Sequence, residues 1–228
     1  MLDIVPIWPL YCYSGRVVVK TSHRQRQAQA TRRAVAHAAR RLFAARGYVA
    51  TTIEAISASA DIPIPTIYSA FGNKPAILEE IRRLWIAESE VEDLYRRALL
   101  MSDPVQRLRL AAHWTRRQME LGYEIIAMYI EAARTDARVA KVWRRVLSGR
   151  EAAVRRLLES LAGTLRSELT LEQALDIYVA ATLPEVYRSL VLERGWSSDR
   201  YEAWLGDLLV SQFRGVAPVT RRLRSKRS

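Results

Sequence analysis

Apolar residues recur every three to four positions along most of the chain, and no stretch alternates as a half-buried strand would. One clear stripe is Val35, Ala38, Ala39, Leu42 and Phe43, with Arg33, His37, Arg40 and Arg41 on the opposite side of the helix it predicts. A short helix follows, in which Ile53, Ile56 and Ala60 share a side. Thr51-x-x-Glu54 has the spacing at which a hydroxyl and a carboxylate cap its first turn. Asp61 stands where the chain must turn, and Asp tolerates a left-handed backbone. Pro63 and Pro65 suit a first helical turn, so a second short helix begins near Ile64 or Pro65 and anchors through Ile67 and Phe71. Asn73 is placed to cap a third. Helices this short are not stable alone, so their presentation calls for an external partner, for which the major groove of DNA is the leading candidate.

The remainder reads as helix after helix. Ile77, Leu78, Ile81, Leu84, Trp85 and Glu88 mark a long element linking this head to a body, and Asp103-Pro104-x-Gln106 is a strong new start. Tyr123 to Ala133 is mostly apolar. Val139, Val142, Trp143, Val146, Ala153, Val154, Leu157 and Leu161 trace a long amphipathic helix. Thr170-x-x-Gln173 caps another that runs toward Leu192 with a kink at Pro184. Ser197 or Ser198 caps the last, which carries Tyr201, Trp204, Leu205, Leu208 and Leu209. With only 9 glycines and no convincing strand, the predicted fold class is all-α.

Charge sharpens the picture once it is located. From Arg16 to Arg46 and from Arg214 to the end, fifteen bases face the single Asp3, so the two ends carry +14 of a net +12 and the middle is left at −2. A basic footprint confined to the head and tail suits nucleic acid. The lone Cys12 rules out an intramolecular disulfide and suits a reducing cytoplasm. The opening MLDIVPIWPLYCY lacks a charged leader and is broken by Pro6 and Pro9, so it reads neither as a signal peptide nor as a membrane span. No phosphate loop, nucleophile elbow or metal-ligand spacing is present, and the three histidines at 23, 37 and 113 are scattered. An enzyme is therefore not expected, nor is any cofactor or metal. His113 is expected to be a satisfied polar residue.

The run from Ala60 to Lys74, ADIPIPTIYSAFGNK, resembles the turn and recognition helix of the TetR family of bacterial transcriptional regulators. Ala38 to Tyr48, AARRLFAARGY, with Thr51-Thr52-Ile53, is similar to that family's first helix and its glycine–aromatic exit. Leu183 to Ser197 is similar to the C-terminal half of many actinobacterial TetR-like regulators. The resemblance implies a helix-turn-helix DNA-binding domain over residues 29–89, with the motif at about 52–71. A helical effector-binding and dimerisation domain then spans 90–214, flanked by a basic, disordered arm at 1–28 and a basic tail at 215–228.

The implied partners are a palindromic double-stranded operator, a second copy of the chain, and a small apolar or aromatic effector, with no membrane. Expected DNA contacts are Arg33, Thr51, Thr52, Ile64, Pro65, Thr66, Tyr68, Ser69, Asn73 and Lys74. Lys74 is expected to meet a phosphate. Pro63, Ile64 and Pro65 depart from the family pattern: this edge can touch a thymine methyl but cannot bond a guanine bidentately. Readout is thus expected from Thr66, Tyr68, Ser69 and the arm. Trp114, Met119, Tyr123, Met128, Tyr129 and Trp143 are the expected pocket, and Tyr178, Val186, Leu190, Trp204 and Leu208 the expected dimer contacts. The implied activity is repression relieved by the effector in the cytoplasm. The alternative is a nonspecific nucleic-acid-binding protein that uses its basic ends alone.

Overall fold

The computed structural model describes residues 22–214. The expected C-terminal tail, and the expected arm up to residue 21, lie outside the described residues. Helix α1 (His23–Arg46) opens inside the segment expected to be arm. Its cap is reciprocal: the Ser22 hydroxyl accepts from the Gln25 N–H while the Gln25 side chain accepts from the Ser22 N–H. Gly47 ends it at φ 80, ψ 161, a conformation that is essentially glycine's alone.

Helix α2 (Ile53–Ala60) is capped one residue later than Thr51-x-x-Glu54 suggested. The Ala55 N–H donates to the Thr52 hydroxyl at 3.2 Å, while Thr51 turns inward and donates to the Gly47 carbonyl at 2.8 Å. Asp61 takes the left-handed conformation, φ 53, ψ 45, as the turn requires. Helix α3 (Ile64–Phe71) follows from Pro63 and buries Ile67 and Phe71. Helix α4 (Lys74–Ser89) is capped by Asn73, whose Oδ1 accepts from the Ala76 N–H at 3.0 Å.

In the body, α5 (Val91–Leu100), α6 (Pro104–Thr135), α7 (Ala137–Glu159) and α8 (Leu171–Ala181) precede a short α9 (Pro184–Tyr187). A wider π-type turn at Arg188–Glu193 leads to α10 (Ser198–Phe213). The predicted caps Asp103, Thr170 with Gln173, and Ser197 all form. The expected kink at Pro184 is a full break: α8 ends at Ala181, Leu183 is extended at ψ 143, and Pro184 restarts the helix. The cause is steric, because a residue preceding proline is pushed out of the helical region.

Helix α6 is the axis of the body and packs against α4, α5, α7 and α10. Its 32 residues are interrupted at Gly122, where φ −158 and ψ 23 leave the helical range. The core is continuous from Val35, Phe43 and Ile67 in the head through Trp85 and Ile125 to Tyr201 and Phe213 in the body.

Candidate nucleic-acid interface and body cavity

Pinned by Ile67 and Phe71, α3 turns Pro65, Thr66, Tyr68 and Ser69 to solvent; Tyr68 is 49% exposed. None of these side chains hydrogen-bonds to another described residue, so a row of mixed apolar and hydroxyl groups stands free on a rigid helix. Thr52 and Asn73 are exposed at the N-termini of the flanking helices, although each side chain already serves as a cap. Ile64 is half-buried at the start of α3. Arg33 is exposed in a surface cleft with Gln29, Arg32, Glu80 and Arg83. Arg32 ties this cleft to the C-terminal end of α3: it donates to the Ala70 carbonyl, lies 4.3 Å over the Phe71 ring and bridges to Glu80 at 3.2 Å. Burial pushes the Glu80 carboxyl upward, but Arg83 and Arg32 outweigh it and hold the group below the usual carboxylate range.

Two expected DNA contacts are corrected by the geometry. Thr51 is 1% exposed, with its hydroxyl committed to the Gly47 carbonyl, so its side chain faces the core. Lys74 does not point outward. Its ammonium donates to the carbonyls of Tyr48 at 2.8 Å and Thr51 at 3.0 Å, approaches that of Val49 at 3.5 Å, and lies 4.3 Å over the Tyr48 ring. Burial lowers its pKa, with Asp136 and Glu131 opposing. Lys74 therefore clamps the turn between α1 and α2, with its donors already engaged. Burial pushes the Tyr48 hydroxyl up to about 12, with Asp136 adding to the shift.

The head is joined to α6 at three levels. Glu131 accepts from the Tyr48 and Val49 N–H groups at 3.2 and 3.4 Å, and a Cβ on Gly47 would lie 2.8 Å from its Oε1. Arg40 donates to Glu124 at 2.5 and 3.0 Å and to the Leu121 carbonyl at 2.7 Å. Trp85 of α4 donates from Nε1 to the Gln118 carbonyl at 3.0 Å. The kink at Gly122 lies one turn further along α6 from Gln118. Glycine is needed there, since a Cβ would sit 2.2 to 2.5 Å from three atoms of that indole. Sequence reasoning placed no function on Glu131 or Gly122, and it grouped Arg40 with the basic face of α1, whereas its guanidinium is spent on Glu124 and the Leu121 carbonyl.

A cavity opens between α5, α6, α7 and α8, lined by Val91, Tyr95, Trp114, Met119, Arg150 and Tyr178 among others. Of the expected pocket residues it contains Trp114 and Met119. Tyr123, Met128, Tyr129 and Trp143 do not line it. Tyr129 stacks on Trp143 with centroids 5.2 Å apart and donates to Glu79 at 2.9 Å. Tyr123 lies 6.2 Å from the Tyr187 ring, and Met128 is 3% exposed in the core. These four pack between helices because aromatic and Met residues at helical spacing serve a core as readily as a pocket.

Arg150 was not anticipated; its trace in the sequence is an arginine in the apolar stripe of α7, four residues after Val146 and three before Ala153. Tyr178, expected at a dimer interface, is 1% exposed and faces this cavity instead, because α8 turns that side toward α7. Val186, Leu190, Trp204 and Leu208 remain partly exposed on α9, the turn after it and α10, beside the exposed Leu183 and Leu192. His113 faces Glu202 at 3.0 Å. Among the described residues no cluster of His, Cys, Asp or Glu could hold a metal ion, and no helix is long and apolar enough to cross a membrane.

Residues 35–81 match the family model described as bacterial regulatory proteins, tetR family. A search of curated proteins found no match. Among solved structures, the chain is similar to the fatty acid degradation regulator FadR from Bacillus halodurans (TM-score 0.65, 19% identity, covering 79% of this chain and 95% of that one). It is also similar to the transcriptional regulator FadR from Bacillus subtilis in complex with stearoyl-CoA (TM-score 0.62, 17% identity, 80% and 99% covered). A third is the SmeT–triclosan complex (TM-score 0.66, 17% identity, 82% and 92% covered). Residues 35–81 thus match the tetR-family model, and the chain as a whole shares the all-helical fold of the solved transcriptional regulators that it resembles.

Proposed function

We propose that this chain is a one-component transcriptional regulator: a homodimer that binds a palindromic operator through α3 and leaves it when a small molecule enters the body. The observation that carries the reading is the outer face of α3. Pro65, Thr66, Tyr68 and Ser69 stand free while Ile67 and Phe71 lock the helix from behind, an arrangement suited to presenting side chains to base edges in a major groove. Arg33 beside it supplies a cation for the phosphate backbone. Thr52 and Asn73 put helix N-termini at the same surface, where backbone N–H groups favour anions.

A dimer is supported by the partly exposed apolar residues Val186, Leu190, Trp204 and Leu208 on α9, the turn after it and α10. Two heads held at a fixed spacing gain affinity from two half-sites at once. Release requires the effector to favour a conformation with a different head spacing. The route is short. Gln118 lines the cavity, its carbonyl holds the Trp85 indole, and Trp85 belongs to the α4 helix that follows the recognition helix.

The test is selection of genomic fragments by the purified full-length protein. Enrichment of one palindromic sequence by orders of magnitude is expected. Uniform recovery, with affinity set only by salt, would instead identify a nonspecific nucleic-acid-binding protein.

A further inference from the structure

Arg150 is a cation set among apolar walls with no acid to pair it. Its Nη2 donates to the carbonyl of Thr182 at 3.2 Å and to the hydroxyl of the same residue, and no carboxylate lies within ion-pair distance of it among the described residues. Burial pushes its pKa down, and no carboxylate opposes the shift. The Tyr178 and Tyr201 hydroxyls are buried without a hydrogen-bond partner.

Arg107 provides the contrast. It is more deeply buried and also has no acid, yet it donates to the carbonyls of Met101 and Ser160 and to the Ser160 hydroxyl, and so closes the ends of α5 and α7 with only its Nε left without a partner. Arg150 has Nε and Nη1 left over, and it borders the small cavity that opens to solvent between α5, α6, α7 and α8.

We infer that this cavity binds an organic carboxylate with an apolar body, its carboxylate held by Arg150 and the Tyr178 hydroxyl and its body resting on Trp114, Met119 and Val154. A half-buried guanidinium without a counter-ion is poorly compensated, and a carboxylate matches its planar fork better than any neutral group. Glu92, exposed at the mouth, repels the same carboxylate and so orients the ligand with its charge inward. Thr182, which now holds Arg150, ends α8 immediately before the break that leads to Val186 and Leu190. A carboxylate competing for Arg150 acts on the residue that separates the cavity from the dimer face.

The inference deepens the reading of the body as a sensor and rests on it. Binding is measured on the full-length protein without DNA, so its failure leaves the DNA-binding reading intact, and a failed operator selection leaves this result intact. Isothermal titration with octanoate, octan-1-ol and octyltrimethylammonium compares one chain length with three headgroups. Octanoate should bind at least tenfold more tightly than the alcohol, and the ammonium should not bind. Arg150→Met should abolish the preference for octanoate while leaving octanol affinity within twofold. Tyr178→Phe, which removes a single unpaired hydroxyl and keeps the ring, should weaken octanoate severalfold and octanol not at all. That second variant decides the matter if Arg150→Met does not fold. Equal binding of octanoate and octanol, no binding of octanoate, or an unchanged octanoate affinity in a folded Arg150→Met or Tyr178→Phe protein would overturn the assignment.

Discussion

Replacing Gly122 by Ala should destabilise the protein although alanine is the better helix former. The new Cβ would lie 2.2 Å from Nε1, 2.4 Å from Cε2 and 2.5 Å from Cδ1 of Trp85. Van der Waals contact requires about 3.5 Å, so the indole must retreat by about 1 Å. Trp85 is 5% exposed, and its N–H is bonded to the Gln118 carbonyl. The retreat breaks that bond and leaves a buried donor and acceptor unpaired, at about 1–3 kcal/mol for such a group. Complete loss of a buried tryptophan, about 3–5 kcal/mol, is the upper limit. Against this stands a gain of about 1 kcal/mol from alanine in a helix.

The net expectation is a loss of about 2–4 kcal/mol. At roughly 2–4 °C per kcal/mol for a chain of this size, that shift amounts to about 5–15 °C in Tm. Circular dichroism melts of the wild type, Gly122→Ala, Trp85→Ala and the double variant would measure it as a cycle. Once Trp85 is gone the alanine should be neutral or slightly stabilising. A Gly122→Ala protein melting within about 1 °C of wild type, or one showing the same loss in both backgrounds, would refute the reasoning.

Lys74→Met should lower stability by about 1–3 kcal/mol, because the carbonyls of Tyr48 and Thr51 lose their donor. It should leave the salt dependence of DNA binding unchanged; a slope smaller by about one unit would return Lys74 to the phosphate backbone. The depressed pKa of Glu80 contributes stability that is present at neutral pH and is lost as pH falls from the ordinary 4.5 through its lower folded value. Glu80→Gln should therefore flatten the acid limb of the stability curve, and an unchanged limb assigns acid unfolding to other groups. Trp204→Glu places a charge on the proposed dimer face and should give monomers by sedimentation, whereas an intact dimer would move the interface elsewhere.

Local chemistry made most of the helices readable in advance. Asp61, Asn73, Asp103, Thr170 with Gln173, and Ser197 each satisfy backbone groups within their own turn, and such signals survive folding. The one-residue shift from Thr51 to Thr52 shows the limit, since two adjacent threonines can both cap and only the pull of the Gly47 carbonyl decides between them. Long-range pairing was not readable. Lys74 finds carbonyls more than twenty residues away, Trp85 meets a carbonyl of a different helix, and Tyr178 faces inward because α8 packs on α7. Arg150 left a local trace, a charge in an apolar stripe, but its missing partner is visible only in three dimensions.

The central claim is that the free face of α3 reads sequence. Its most direct test is a fluorescence-anisotropy titration of wild-type protein and a Thr66→Ala/Tyr68→Ala variant at one fixed salt concentration. Each is titrated with the selected operator duplex and with a scrambled duplex of the same length. The account predicts that the variant folds and dimerises as the wild type does and binds the scrambled duplex equally well, but loses at least tenfold in affinity for the operator. Unchanged operator affinity in the folded variant would contradict it.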